Sequence, residues 1–289
     1  YCMPEEGVPW IPRSEILTFE EIERLARICV ERFGFDGIRL TGGEPTIRAN
    51  IVTLVEKLAA LGVDLAMTTN GATLRRLAGD LRAAGLRRIN ISLDTLDRGR
   101  FQEITRRDEL DHVLDGIRAA KEAGFDPVKI NAVIERDVND DEIVALARFG
   151  RDEGVEVRFI EFMPLDAADE WQRSRVVGQD EIVATIAAEW PIEQVPARGA
   201  APADRWRYLD TGGLVGVIPT VTKPFCGDCD RVRLTADGQF RTCLFATDEF
   251  DLRAALRDGE SDDRIATRIE RAVGTKWAGH QINQVNFIR

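Results

Sequence analysis

The chain has 289 residues, 44% of them apolar, and its 39 Lys and Arg against 50 Asp and Glu leave a formal net charge of -11. This length can bury a substantial core, the acidic balance argues against a general nucleic-acid binder, whose footprint is basic, and no run approaches the ~18 consecutive apolar residues of a membrane span. Five cysteines, an odd number, suit metal binding in a reducing cytoplasm better than a disulfide scaffold.

From Thr18 to about Glu161, short β-branched segments alternate with amphipathic helical ones, the pattern of a parallel α/β unit wound with right-handed crossovers. Thr18-Phe19-Glu20-Glu21 reads as a capping box that opens a helix running to about Phe33. A strand at 37–40 leads into Thr41-Gly42-Gly43-Glu44-Pro45. A helix near 51–61 precedes a strand at 63–67, which ends in Thr68-Thr69-Asn70-Gly71. A helix near 74–84 precedes a strand at 88–93 whose end carries Ser92 and Asp94. Helices over 98–123, a strand at 128–134, a helix at 140–150 and a strand at 155–161 running into Phe162-Met163-Pro164 complete the alternation. The rhythm then breaks. Residues 167–179 are polar, a helix follows near 180–190, and 195–204 reads as a Pro/Ala/Gly linker. Short strands around three cysteines and a helix over about 248–273 fill the rest. Five strands, with one more expected upstream of Tyr1, predict an α/β chain built as a partial (β/α)6 TIM-like barrel over residues 1–164. Residues 165–289 are expected to form a C-terminal iron-sulfur extension that closes one side of the barrel.

Ligands of such folds bind at the C-terminal ends of the strands, so Gly43, Thr68, Ser92, Lys129 and Met163 are expected to face one cavity. The pair Gly42-Gly43 lets backbone approach a ligand closely, although a glycine pair before proline is also an ordinary turn. Thr68-Thr69-Asn70-Gly71 reads equally as an Asn-Gly turn, and Ser92 as a hydroxyl bonded to its own backbone. Lys129, inside an apolar strand, is expensive to bury without a partner. It either snorkels outward or joins Arg39, Arg231 and Arg233 in a cationic cluster suited to a polyphosphate. The two histidines, His112 and His280, are too few and too far apart for imidazole zinc chemistry, and His112 reads as helix surface.

Cys226 and Cys229 lie in Pro224-Phe225-Cys226-Gly227-Asp228-Cys229-Asp230-Arg231-Val232-Arg233, and Cys243 follows thirteen intervening residues later. Structural zinc takes four protein ligands, whereas a 4Fe-4S cluster on three cysteines leaves one iron open to another ligand. Arg231 and Arg233 would set anion-binding forks beside that open position. The alternative is three unrelated buried cysteines. Cys29 lies on the apolar face of a helix and reads as core. Cys2 stands in a loop signal, Tyr1-Cys2-Met3-Pro4, at the start of a chain that opens without methionine, so any companion ligands are expected upstream.

Tyr1-Cys2-Met3-Pro4, Gly-Gly-Glu-Pro, Thr-Thr-Asn-Gly and the paired cysteines with Arg231 and Arg233 together resemble the GTP 3',8-cyclase family, radical S-adenosylmethionine (SAM) enzymes of molybdenum cofactor biosynthesis. The resemblance covers essentially the whole chain. It implies a partial barrel and two 4Fe-4S clusters, each on three cysteines. By that resemblance Cys2 is the last ligand of the SAM cluster, and Cys226, Cys229 and Cys243 hold the substrate cluster, whose free iron takes the guanine. Tyr1, Gly43, Ser92 and Met163 would line the SAM pocket, and Arg39, Thr68, Lys129, Arg231 and Arg233 would bind GTP. A 5'-deoxyadenosyl radical would take hydrogen from C3' of the ribose, and C3' would attack C8 to give 3',8-cyclo-7,8-dihydro-GTP. An electron donor and the next enzyme of the molybdopterin pathway are the implied partners, in the cytoplasm, with no nucleic acid or membrane and a monomeric or homodimeric state.

Two departures stand out. The first two cluster cysteines are missing, and the chain ends at Phe287-Ile288-Arg289 without the family's Gly-Gly tail. Both ends read as clipped, so the polypeptide as written is expected not to hold the first cluster stably and to be inactive. A degenerate, non-catalytic homologue is the other reading of the same losses. Competing functions are a peptide-modifying radical SAM maturase with an auxiliary cluster, and a binding module stabilised by zinc on Cys226, Cys229, Cys243 and one further ligand.

Overall fold

A computed structural model describes residues 7, 11–165, 171–196 and 199–276. Tyr1, Cys2 and His280 lie outside the described residues, as does the C-terminal end.

Five parallel strands, β1 (Gly37–Leu40), β2 (Asp64–Thr69), β3 (Arg88–Ser92), β4 (Val128–Ile134) and β5 (Glu156–Glu161), pair in chain order. The helices α1 (Phe19–Phe33), α2 (Ile51–Ala59), α3 (Leu74–Ala83), α4 (Arg98–Thr105), α5 (Leu110–Glu122) and α6 (Ile143–Glu153) connect and cover them. The sequence pattern located each of these elements. The capping box at α1 forms in full: the Thr18 hydroxyl accepts from the Glu21 amide at 3.1 Å and Glu21 accepts from the Thr18 amide at 2.8 Å. Strand residues on one parity, among them Leu65, Met67, Ile89, Ile91, Ile130 and Phe159, are buried against the helices and form the main core. Helix α5 packs so tightly on the turn after β2 that a Cβ at Gly116 would stand 2.2 Å from the Gly71 carbonyl oxygen.

Beyond residue 164 the structure departs from the expectation. After α7 (Gln179–Glu189), the strands β6 (Ile192–Val195), β7 (Asp204–Tyr208) and β8 (Leu214–Ile218) join the same sheet, which reads β1-β2-β3-β4-β5-β8-β7-β6. The presumed linker at 195–204 is the loop of the β6–β7 hairpin. Strand β8 runs parallel to β5, so a sixth parallel strand follows β5 on the side away from β1, with the antiparallel β7 and β6 beyond it. The strand expected before Tyr1 lies outside the sequence. The single long helix expected over 248–273 is instead a strand and two helices, because Gly259 and Glu260 end the first helix and Ser261 caps the second.

The cysteine region carries a small sheet of β9 (Arg233–Leu234), β10 (Gln239–Arg241) and β11 (Phe250–Asp251), followed by α8 (Leu252–Arg257) and α9 (Asp262–Gly274). A second core joins Leu17, Leu25 and Ile28, at and before α1, to Phe240, Leu252, Ile265 and Ile269. The extension therefore leaves the sheet from β8 and seats on the helix beside β1, at the opposite edge. Arg24 and Arg27 pair with Asp262, and Glu21 of the capping box also receives Arg257. Such partly exposed pairs are each worth roughly 0–1 kcal/mol, so the apolar contact supplies most of the hold. Cys29 packs against this second core, and burial pushes its thiol pKa up to about 11, as an inert core residue requires.

Candidate active site

Barrel interiors are ordinarily filled by branched apolar side chains. Here the inner face of the sheet is polar. Register aligns three rows on it: Arg39, Ala66 and Arg88; then Thr68, Asn90, Lys129 and Glu156; then Ser92, Asn131, Arg158, Gly216 and Arg205. Arg158 lies across Gly216, where a Cβ would meet its Cγ at 3.3 Å. Two of the cations on this face, Arg158 and Arg88, each lie against a carboxylate. Arg158 donates to Glu156 at 2.7 Å, both buried, and Arg88 donates to Asp64 at 3.0 Å. The three rows carry Arg39, Arg88, Lys129, Arg158 and Arg205 against Glu156, with Asp64 on the same face, which leaves the lumen positive in a protein that is acidic overall.

Arg39 opens to the lumen but has protein on most sides. Burial pushes its pKa down to about 10, with Arg88, Arg158 and Arg231 adding like-charge repulsion. It stays charged at neutral pH and donates to the Thr68 hydroxyl at 3.4 Å. The coupling to Arg231 places the cysteine segment next to the barrel lumen. The buried side-chain amide oxygen (Oδ1) of Asn131, in the row between Ser92 and Arg158, has no hydrogen-bond partner among the described residues. An orphaned acceptor of this kind, facing a polar cavity, is what a bound ligand or water would satisfy.

Lys129 stands at the N-terminal end of β4, not at the C-terminal end where the sequence reading put it, although it shares the inner face with Thr68. A cavity of about 520 Å³ opens at that end, lined among others by Arg88, Lys129, Glu156 and Arg205. Cationic side chains thus run from the lower mouth of the sheet up to the cysteine segment.

Two glutamates fix the loops at the C-terminal ends of the strands. Glu44 accepts from the Thr46 amide (3.0 Å) and hydroxyl (2.6 Å), the Thr69 hydroxyl (2.7 Å) and the Asn70 amide (2.6 Å). The Gly-Gly-Glu-Pro loop is thereby clamped to Thr-Thr-Asn-Gly. Gly43 is exposed, and a Cβ there would meet nothing within 4 Å, so the loop presents open backbone. Glu161, fully buried, accepts from the amides of Gln179 (2.9 Å), Val221 (2.7 Å) and Thr222 (2.7 Å) and from the Thr222 hydroxyl. Met163, two residues on, packs against the cluster of Val176, Val221 and Phe245, and Cys243 packs against the same cluster, which joins the end of β5 to the cysteine segment.

Cys226 and Cys229 flank a short 3-10 turn, and Cys243 follows β10. Burial pushes the Cys226 thiol pKa up, and the neighbouring Cys243 and Cys229 push it further, so the three thiols form one electrostatic group. Burial acts in the same direction on Cys229, yet hydrogen bonds and charge from Arg231, with charge from Lys276, bring that thiol below its usual value. Arg231 donates to the Cys229 sulfur at 3.4 Å and stacks over Phe225 at 4.8 Å. The Arg233 guanidinium is half-buried beside Cys243, Arg231 and Cys229, and that burial lowers its pKa. Among the described residues no three His, Cys, Asp or Glu side chains converge on a single ion. A cluster does not ask this of its cysteines, since each binds a different iron, and three grouped thiols with a cation-supported thiolate fit one.

Residues 1–150 match the model of the Radical SAM superfamily, and residues 155–282 match Molybdenum Cofactor Synthesis C. A GTP 3',8-cyclase of Rhodopirellula baltica is 47% identical, with the match spanning 99% of this chain and 82% of the relative. A second, from Streptomyces coelicolor, is 48% identical over 100% of this chain and 86% of its own. The chain belongs to the GTP 3',8-cyclase family. It is accordingly a radical SAM enzyme that uses S-adenosylmethionine and iron-sulfur chemistry. A crystal structure of Streptococcus suis SuiB bound to S-adenosylmethionine matches with a TM-score of 0.62 at 14% identity, over 90% of this chain and 60% of that one, a likeness of fold.

Seen as a GTP 3',8-cyclase family member, the chain brings Arg39, Thr68, Lys129 and Ser92 onto one face, with Arg231 in the field of Arg39 and with Met163 and Cys243 on one small apolar cluster. Sequence reasoning missed Glu44, Asn131, Glu156, Arg158, Glu161 and Lys276. The argument that singled out Lys129, a charge inside an apolar strand, applies equally to Glu156-Val157-Arg158. Among the described residues no helix is long and apolar enough to cross a membrane.

Asp94, two residues after Ser92, accepts from the Val133 amide at 2.7 Å. Burial pushes its pKa from 3.8 up to about 6 despite that bond. Folding therefore favours the protonated carboxyl. That stabilisation is full below the unfolded value of 3.8 and is lost as the pH rises through about 6. We expect Asp94→Asn to flatten the pH dependence of Tm between about pH 4 and 7, its advantage over the native chain growing toward the upper end. Parallel curves across that range would contradict this assignment.

Proposed function

We propose that the chain acts as a GTP 3',8-cyclase, converting GTP to 3',8-cyclo-7,8-dihydro-GTP in the first step of molybdenum cofactor biosynthesis. The observation that carries this reading is the positive lumen meeting the cysteine segment, Arg39 lying in the field of Arg88, Arg158 and Arg231. A nucleoside triphosphate supplies the anionic charge that this lumen lacks. Family membership supports the same substrate.

In this reading Cys226, Cys229 and Cys243 hold one 4Fe-4S cluster, while Cys2, outside the described residues, is one ligand of another. When bound, S-adenosylmethionine on its reduced cluster supplies a carbon-centred radical able to take hydrogen from a ribose carbon. The protein's own residues position the reactants. Arg39, Lys129 and Thr68 bind the polyphosphate along the inner face, and Arg231 and Arg233 bind the nucleotide beside the cysteines. Gly43 offers open backbone to S-adenosylmethionine, with Ser92 and Met163 at the ends of the neighbouring strands. Tyr1 is assigned to the same pocket from the family pattern. Fixing the ribose in this way lowers the entropy cost of reaction. Partners in this reading are a one-electron donor and the enzyme that consumes the cyclised nucleotide, in the cytoplasm.

Anaerobic equilibrium binding of GTP and ATP tests the substrate assignment. We expect GTP to bind at least about tenfold more tightly, about 1.4 kcal/mol. Equal affinity for the two nucleotides would refute the cyclase reading while leaving the radical SAM fold in place.

A further inference from the structure

Lys276 follows α9 and ends on the cysteine segment. Its ammonium has three donors. They go to the Cys229 sulfur at 3.7 Å, the Thr242 carbonyl at 2.9 Å and the Arg231 carbonyl. Thr242 precedes Cys243, and Arg231 lies two residues past Cys229, so one side chain ties together the two stretches that carry these cysteines. The support behind it is rigid: Ile265, Ile269 and Ala272 of α9 are fully buried in the core shared with α1 and β10. Arg231 also donates to Cys229, but its guanidinium lies in the field of Arg39 at the lumen, where the substrate is assigned.

We propose that Lys276 is a positioning residue for the iron-sulfur cluster of Cys226, Cys229 and Cys243, holding the Cys229 and Cys243 limbs together and raising the cluster's reduction potential through its hydrogen bond to the Cys229 sulfur. The inference rests on the reading that these cysteines hold a cluster. A cation donating to a ligand sulfur stabilises the reduced, more negative cluster, and hydrogen bonds to sulfur together with net charge set such potentials. The lysine is 47 residues from Cys229, so no local motif announces it.

The test is a redox titration of the full chain after anaerobic reconstitution with iron and sulfide, following the paramagnetic signal that GTP perturbs, for the native chain, Lys276→Met and Lys276→Arg. Lys276→Met is expected to lower the reduced-to-oxidised ratio at a fixed poise about tenfold, about 59 mV for one electron. Lys276→Arg, which keeps the charge, is expected to recover most of that loss. A fully loaded Lys276→Met with the native potential overturns the inference. If Lys276→Met does not load iron, Lys276→Gln takes its place and must show the same fall. If neither neutral variant loads while Lys276→Arg does, the cation is required to assemble the site, and the positioning role stands while the potential is read from Lys276→Arg against the native chain. If Lys276→Arg also fails, the lysine is a fold anchor only and the inference is overturned. A native chain that takes up no iron would instead overturn the reading of the cysteines themselves.

Discussion

Replacing Glu161 by alanine is expected to be among the most destabilising single changes in the protein. Its carboxylate is fully buried at the end of β5 and receives the amides of Gln179, Val221 and Thr222. Gln179 is the first residue of α7, and the residue before it, Gly178, has no side chain to cap the helix. Glu161 therefore supplies the anion that the helix N-terminus favours and, with the same two oxygens, holds the loop after β8. Alanine would strand the buried Gln179 and Val221 amides and the part-buried Thr222 amide. At about 1–3 kcal/mol for each unsatisfied group, the loss is roughly 3–6 kcal/mol with partial relaxation, a large share of the ~5–15 kcal/mol that stabilises a typical domain. Chemical denaturation should show the loss directly. Glu161→Gln, which keeps one acceptor but turns an amide toward donors, should also be destabilised. A change under about 1 kcal/mol in Glu161→Ala would mean that the clamp is dispensable.

Arg39→Ala should separate binding from stability. In the ligand-free chain Arg39 has a long hydrogen bond to Thr68 and sits among Arg88, Arg158 and Arg231, so removing it relieves repulsion and Tm should not fall. Once a triphosphate fills the lumen the same guanidinium becomes a charge-assisted donor worth about 1.5–3 kcal/mol, so GTP affinity should drop roughly 10- to 150-fold. The stabilisation of the native chain by saturating GTP should shrink accordingly. A variant that melts earlier yet binds GTP normally would show Arg39 to be a scaffold residue. Arg158 offers the contrasting case: its loss would remove a buried cation that donates to the buried Glu156, so stability should fall along with binding.

Much of the barrel is legible in the sequence because its signals are local. The box at Thr18–Glu21 starts α1 at the residue expected, and the apolar runs of β1 and β4 were bounded by turn residues at both ends. The β6–β8 meander was not recognised because the 195–204 loop has the composition of a linker and its flanking strands are short. A signal was present in Asp204-Arg205-Trp206-Arg207-Tyr208, whose apolar residues alternate and are buried at Trp206 and Tyr208. The site was partly readable for the same reason. Lys129 stood out as a charge in an apolar strand, but its height in the lumen depends on the stagger between strands, which no single strand encodes. The partnerships of Arg158 with Glu156, of Glu161 with three distant amides and of Lys276 with Cys229 arise from packing between separate elements. Only the folded chain displays them.

The most direct test of the account is the electron paramagnetic resonance spectrum of the anaerobically reconstituted chain, with its iron and sulfide content, before and after addition of GTP or ATP. The account predicts about four irons and matching sulfide on Cys226, Cys229 and Cys243 and a cluster signal that GTP changes and ATP does not. One zinc per chain with no sulfide, or a cluster signal indifferent to GTP, would contradict it.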